Sequence, residues 1–128
     1  MKLLLDTHAF IWWDSDPEKL SPRALALCED RTNQLHLSVA SLWEVKIKAQ
    51  LGKLKLASPL PDLVAAQQEA NGLLLINIHA DHTYALDDLP NHHKDPFDRM
   101  IIAQARAEGL RLVSHDGIIR RYPVDVEW

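Results

Sequence analysis

The chain of 128 residues has the commonest length of one folded domain, long enough to bury roughly two thirds of its unfolded surface. With 47% hydrophobic and 25% charged residues it is composed as a globular protein, and a net charge of -4 argues against a general nucleic-acid coat, whose affinity comes chiefly from Lys and Arg, although acids gathered at one place can hold cations that present positive charge to a phosphate. The one cysteine, Cys28, excludes an internal disulfide, no apolar run reaches membrane-spanning length, and the leucines ahead of Asp6 are too few for a signal-peptide core, so a reducing cytoplasm is expected.

Residues 2–5 form a short apolar run ending at Asp6, the pattern of a buried strand that delivers a carboxylate at its C-terminal end. Thr7 and His8 open a helix that the Asp16-Pro17 pair breaks. Ser21-Pro22 caps a second helix, with Leu25 and Cys28 on its inner side and an end near Asn33. Leu35, His36 and Leu37 read as a second strand, in which a lone histidine between leucines is a satisfied or surface group. From Ser38 the pattern turns helical through Val39, Leu42, Trp43, Val45, Ile47 and Ala49, closed by Gly52. Ser41 and Glu44 have the spacing of a capping box, but Ser38 directly follows the strand and is the better cap. Glu44 then lies on the second turn, free to point at something. Lys46, Lys48, Lys53 and Lys55 follow it, either as a solvated face or as contacts to an RNA backbone.

Pro59 and Pro61 mark a connector, and the next helix runs to about Ala70, stopped by Asn71-Gly72. Residues 73–78 are the strongest strand signal, an apolar run broken only by Asn77, and are expected to lie centrally or fully covered. Residues 79–89 suggest a short amphipathic helix. His79 and His82 are one turn apart on it, a conceivable zinc pair that no cysteine or second histidine pair supports. After the loop Pro90-Asn-His-His-Lys94 comes the best-punctuated stretch, with Asp95 as N-cap, Pro96 at the first helical position and Gly109 just past the end. Met100, Ile101, Ala103 and Ala107 give it an apolar face, and Arg99, Arg106 and Glu108 look to solvent. Residues 110–114 form a strand leading into Ser114-His115-Asp116-Gly117, and residues 124–126 form the last.

Five short apolar runs alternating with helical patterns make an α/β fold: a single domain over 1–128 with a mostly parallel five-stranded sheet flanked by helices. Parallel strands put their C-terminal ends on one edge, where open sheets of this kind carry their sites. Asp6 follows the first strand, Glu44 lies early in the helix after the second, Asp98 opens the helix leading into the fourth, and Asp116 follows the fourth. Each has a local explanation as a cap, a turn residue or a solvated side chain. Four such explanations converging on one edge favour one acidic site. Such a cluster repels itself and implies a counter-ion. Carboxylate oxygens, with no thiolate and at most one histidine, select Mg²⁺ or Mn²⁺ over zinc, and divalent cations held in this way suit phosphoryl chemistry.

The same residues carry a resemblance. The chain resembles PIN-domain proteins, and among them the VapC-type toxins of bacterial type II toxin-antitoxin systems, over essentially its whole length. The matching segments are Leu-Leu-Leu-Asp6-Thr7-His8, Ser-Val-Ala-Ser-Leu-Trp-Glu44-Val, His-His-Lys-Asp95-Pro-Phe-Asp98-Arg-Met-Ile-Ile-Ala-Gln-Ala, and Ser114-His-Asp116. The last departs from the commoner family form, in which Thr-Asn precedes the aspartate. The resemblance implies a Mg²⁺-dependent endoribonuclease, with Mn²⁺ as substitute, acting on tRNA or another structured RNA. Asp6, Glu44 and Asp98 would bind the metal, and Asp116 would complete the site through water. Thr7 would hydrogen-bond near the metal, Ser114 would orient Asp116, and Asp95 would cap the helix behind the ligands. It also implies homodimers and a cognate VapB-like antitoxin, for whose interface Trp12, Trp13 and Trp43 are candidates alongside core packing.

Three other readings compete. A metal-independent ribonuclease would use His92, His93 and Lys94 as acid, base and phosphate clamp, but leaves the acids unexplained. A receiver-type signalling domain would need an aspartate ending a central strand and a lysine ending a later one, and finds His79 and His115 there instead. A catalytically silent PIN-like module would bind RNA or antitoxin without cutting, and the full set of acids speaks against it.

Overall fold

Leu3, Leu4 and Leu5 are wholly buried, the mark of a strand with a neighbour on each side and helices over both faces. They form β1 (Lys2–Leu5), the middle strand of a five-stranded sheet ordered β3-β2-β1-β4-β5 in the computed structural model, which describes residues 1–128. β2 (Gln34–Ser38) and β3 (Leu74–Ile76) lie on one side of β1, and β4 (Arg111–Val113) and β5 (Val126–Glu127) on the other. Every pairing is parallel, with Leu3 opposite Leu35 and Leu5 opposite both Leu37 and Val113. The chain therefore moves outward from β1 through β2 to β3, then returns to the other side of β1 for β4. That reversal sits between β1 and β4, and it opens a crevice at their carboxyl ends.

The side-chain alternation of a strand divides the core. Leu3 and Leu5 join Leu35 and Leu37 on one face, covered by α1 (Thr7–Ser15), α2 (Pro22–Glu29) and α4 (Leu60–Asn71). Leu4 and Leu112 point to the other, beneath Ile101, Ile102 and Ala105 of α6 (Pro96–Glu108). α3 (Val39–Gln50) serves both, giving Val45 to the first cluster and Ala40 to the second. The short α5 (Ala80–Ala85) and a 3-10 turn over Leu86–Asp88 pack beside α6. Each β1 leucine contributes roughly 1.5–3 kcal/mol by leaving water. No helix is long and apolar enough to cross a membrane.

Helix ends follow the local chemistry. Ser21 Oγ accepts from the Ala24 N–H, Ser38 Oγ from the Ala40 N–H, and Asp95 Oδ1 from the N–H groups of Phe97 and Asp98. Ser38 is the cap of α3, so Glu44 is not held in a capping box with Ser41. Gly109 ends α6 at φ +66°, a left-handed conformation that suits glycine.

Several expectations are corrected. The run 73–78 is neither central nor covered. Only Leu73 is buried; β3 is three residues long at the sheet edge, with Leu74 47% and Leu75 39% exposed. An apolar run marks burial on both faces only where a strand has neighbours on both sides, and β3 has one. α2 stops at Glu29, well before Asn33, because Asp30 turns the chain by accepting from Thr32 N–H and O–H. In α6, Ala107 is exposed, whereas Arg99 is drawn inward to the carbonyls of Pro90 and Leu86. His79 and His82 are no zinc pair: His82 Nδ1 accepts from the His79 N–H, and its Nε2 meets Glu108 at 2.8 Å. Trp13 is a core residue, which removes it from any interface.

Candidate functional site

β1 ends at Leu5, so Asp6 emerges at the carboxyl edge and at once becomes the N-cap of α1, its Oδ1 accepting from the Ala9 N–H at 2.7 Å. One residue thus closes a strand, starts a helix and presents a carboxylate to the crevice. It is only 5% exposed. Burial pushes its pKa up, with the Ser114 hydroxyl, the Ala9 amide and His8 offsetting part of the rise.

Glu44 reaches the same place from the second turn of α3 and is buried. Both of its oxygens are committed. Oε1 accepts from the Thr7 hydroxyl at 2.6 Å, and Oε2 pairs with Lys48 Nζ at 2.8 Å, one helical turn along. Ser41 Oγ stands 3.0 Å from the Thr7 hydroxyl, extending this buried network.

Asp98 lies in the first turn of α6, held there by the Asp95 cap, and Asp116 follows β4. The turn at Asp116 is built by its own groups: its N–H donates to Ser114 Oγ at 3.1 Å, and its Oδ1 accepts from the Ile118 N–H at 2.8 Å. His93 joins the two acids. Its Nε2 is 2.9 Å from Asp98 Oδ2 and 3.1 Å from Asp116 Oδ2. The Asp95 N–H approaches His93 Nδ1 at 3.4 Å, which directs the ring proton to Nε2, where it is donated to the carboxylates.

These side chains line one open cleft of about 540 Å³, with Asp6, Glu44, Asp95, Asp98 and Asp116 supplying the negative charge. The pKa of Asp98 is pushed up to about 7, by burial first and then by Asp95, Asp6 and Glu44, with His93 pulling the other way. The tightest group is His93, Asp98 and Asp116, whose ligand atoms all lie within 4.8 Å of one another; Asp6 and Glu44 line the same cleft outside that triangle. A set of carboxylate oxygens, with one imidazole within reach, fits a hard or borderline divalent cation, whose charge would offset the repulsion among these acids.

The structure therefore gathers Asp6, Glu44, Asp98, Asp116, Thr7, Asp95 and Ser114 at one edge, as their strand-end positions imply. It does not gather His92, His93 and Lys94 into a second site: His92 stacks edge-on against Tyr122, Lys94 is exposed, and only His93 enters the cleft. His93 is the main residue that sequence reasoning left out of the acidic site. The signal was its place two residues before the Asp95 cap. Its anchor is the Tyr122 hydroxyl, which accepts the His93 N–H at 2.7 Å across 29 residues, a separation no local pattern reveals. Trp12, His8 and His115 complete the rim.

A parallel open sheet with clustered carboxylates at the crevice where its strand order reverses defines an α/β protein of the kind that presents acids to a divalent cation. More narrowly, this chain belongs to the PIN domain family, whose model matches residues 3–125. It is 31% identical over 121 residues to Ribonuclease VapC22 of Mycobacterium tuberculosis (strain ATCC 25618 / H37Rv), covering 94% of this chain and 91% of that protein. Among solved structures it is similar to VapBC2 from Rickettsia felis bound to a promoter DNA fragment, with a TM-score of 0.72, 18% identity and 99% and 98% of the two chains covered. A DNA-bound VapBC from Salmonella typhimurium gives a TM-score of 0.70 at 18% identity, covering 99% of this chain and 97% of that one.

Proposed function

We propose that this protein is a metal-dependent endoribonuclease, the toxin of a toxin-antitoxin pair, which hydrolyses RNA phosphodiester bonds at the carboxylate cleft. The observation that carries the reading is the convergence of Asp6, Glu44, Asp98 and Asp116 on one cleft. The relationship to a named ribonuclease supports the chemistry, and the fold it shares with VapBC proteins supports a VapB-like antitoxin as partner.

Asp6, Glu44, Asp98 and Asp116 would hold Mg²⁺, with Mn²⁺ as substitute, and a cation bound there would supply activation of the attacking water and charge neutralisation at the phosphate and leaving oxygen. The chain's own work is positioning. Thr7 fixes the rotamer of Glu44, Asp95 caps α6 and so sets where Asp98 enters the cleft, and Ser114 ties the backbone of Asp116. Lys48 pairs with Glu44 Oε2 and so would help hold that carboxylate in the cleft. Residues 1–128 act as one domain in the cytoplasm, on tRNA or another structured RNA. A homodimer would bury the exposed edge at β3, where Leu74, Leu75 and Ile78 present apolar surface and unpaired backbone. Trp43, 61% exposed and edge-on to Phe97, is the aromatic best placed for the antitoxin.

The test is cleavage of RNA by the purified protein in Mg²⁺ or Mn²⁺, with and without EDTA, beside Asp98→Asn. Cleavage lost in both arms is the expected result. Cleavage that survives EDTA would return the chemistry to the histidine loop, and intact protein with no activity on any RNA would favour a binding module.

A further inference from the structure

The acidic cleft has a basic neighbour. A groove of about 400 Å³ runs beside it, lined among others by His8, Trp12, Lys19, Lys48, Lys53 and Lys55, and the two share His8 and Trp12 as a common wall. We propose that this groove binds the single-stranded RNA segment flanking the scissile phosphate, with the lysines on its backbone and the Trp12 ring cluster beneath its bases. The inference rests on the ribonuclease reading and adds the path and conformation of the substrate.

The groove is built by the chain after α3. Gly52, at φ +72°, turns the chain out of the helix, and the Lys53-Leu54-Lys55-Leu56 alternation follows. Leu54 and Leu56 pack on the core and line the groove beside Lys53 and Lys55, both of which are exposed. Neither has a carboxylate within 4.0 Å, whereas Lys48 is paired with Glu44 and Lys19 with Asp16. In a chain of net charge -4 these two free cations are set beside a cleft that repels phosphate, and the sign of the surface reverses across one shared wall.

The wall is aromatic. Trp12 lies 5.7 Å from His8, 6.2 Å from His115 and 5.9 Å from Trp128, ring centre to ring centre, and His115 lies 5.3 Å from Trp128. Cations that track a backbone beside rings that accept bases are the two elements of single-strand recognition. A duplex keeps its bases stacked inside and offers nothing to the rings. An acidic protein segment would satisfy the lysines but would leave both the rings and the adjoining phosphodiester site unused.

The experiment measures binding of a fluorescein-labelled single-stranded RNA of about 12 nucleotides, a length within the usual span of such grooves. It uses the full chain carrying Asp98→Asn in EDTA, so cleavage does not interfere. Replacing Lys53 and Lys55 together by alanine should weaken binding roughly tenfold near 0.1 M salt and flatten the slope of log K against log[salt] by about 1.4, that is about 0.7 per lost phosphate contact. Trp12→Phe, which keeps a ring and the packing, should weaken binding less, and tryptophan emission of the parent should fall on binding. Lys2→Ala with Arg31→Ala, at the amino-terminal edge of the sheet, should change nothing. Unchanged affinity and slope in the double lysine variant overturn the proposal. So does an oligoglutamate probe that outcompetes the RNA and is lost with the same lysines, which would assign the groove to an acidic protein segment. A wild-type chain that fails to cleave RNA sinks the ribonuclease reading and leaves these binding curves to judge the groove alone; normal cleavage with unchanged KM in the double variant sinks the groove and leaves that reading standing.

Discussion

Replacing Asp98 by asparagine should stabilise the metal-free protein at alkaline pH while abolishing its activity. A carboxyl whose pKa rises from 3.8 to about 7 carries a penalty of about 4 kcal/mol on its ionised form, at 1.36 kcal/mol per unit. Asparagine has the same shape and no charge. The attraction of His93, 2.9 Å away, is already part of the balance that sets this pKa, so the gain above pH 7 is about 4 kcal/mol. For a domain of this size that is a rise in Tm of roughly 12–16 °C. The sign follows from proton binding: between 3.8 and about 7 the native state holds a proton that the unfolded chain has released, so wild-type stability falls as pH rises through this window and is level above it. The variant lacks that fall. Melting curves in EDTA from pH 4 to pH 9 should therefore coincide near pH 4, diverge up to about pH 7 and stay parallel beyond. Adding Mg²⁺ or Mn²⁺ should narrow the gap by stabilising only the wild type, by about 2.7 kcal/mol at a hundredfold excess over Kd, and close it near a thousandfold excess, at about 4.1 kcal/mol. A variant less stable than wild type at pH 8 in EDTA, or a gap independent of pH, would refute the claim that like-charge crowding and burial govern this cleft.

Two further outcomes follow from groups around that cleft and in the core. Tyr122→Phe removes the hydroxyl that accepts from the His92 and His93 amides and the Arg99 guanidinium; it should cost about 1–3 kcal/mol in a thermal melt and slow cleavage by loosening His93, and an unchanged Tm would show the loop to be anchored elsewhere. Cys28 is buried, and burial, with a smaller push from Glu29, raises its thiol to about 12; iodoacetamide at pH 8 should leave it unmodified in the native protein and alkylate it fully in denaturant, and rapid labelling of the native state would contradict that burial.

The legible part of the fold is the part coded locally. Asp95, Pro96 and Gly109 bracket α6 because capping, a preset φ and a left-handed terminus are properties of single residues and their neighbours. The leucines of β1 identified a covered strand because both of its faces and both of its edges are occupied. β3 shows where this logic ends. Its apolar run is richer than that of β4, yet it lies at the sheet edge, because neighbour number is decided by topology and leaves no mark on the strand's own composition.

The site divides in the same way. Each acid could be placed at the carboxyl edge from its position relative to one strand, and parallel topology then forces the set together. What could not be read is how each acid is held. The Thr7 to Glu44 hydrogen bond spans 37 residues, and His93 depends on Tyr122 in a different part of the chain. The Glu44 to Lys48 pair is the exception, since a spacing of four on one helix is visible at once and reads as an ordinary surface ion pair. Its meaning changes with the burial of Glu44: a lysine tied to a buried acid of the cleft, while also lining the basic groove, stands at the seam between the two surfaces. On the proposed reading a phosphate entering along the lysines would compete with Glu44 for Lys48, and a cation would compete with Lys48 for Glu44. Either arrival would free the group that the other needs, so the affinity of a non-cleavable RNA should rise on adding Mg²⁺, and an affinity unmoved by Mg²⁺ would refute this coupling.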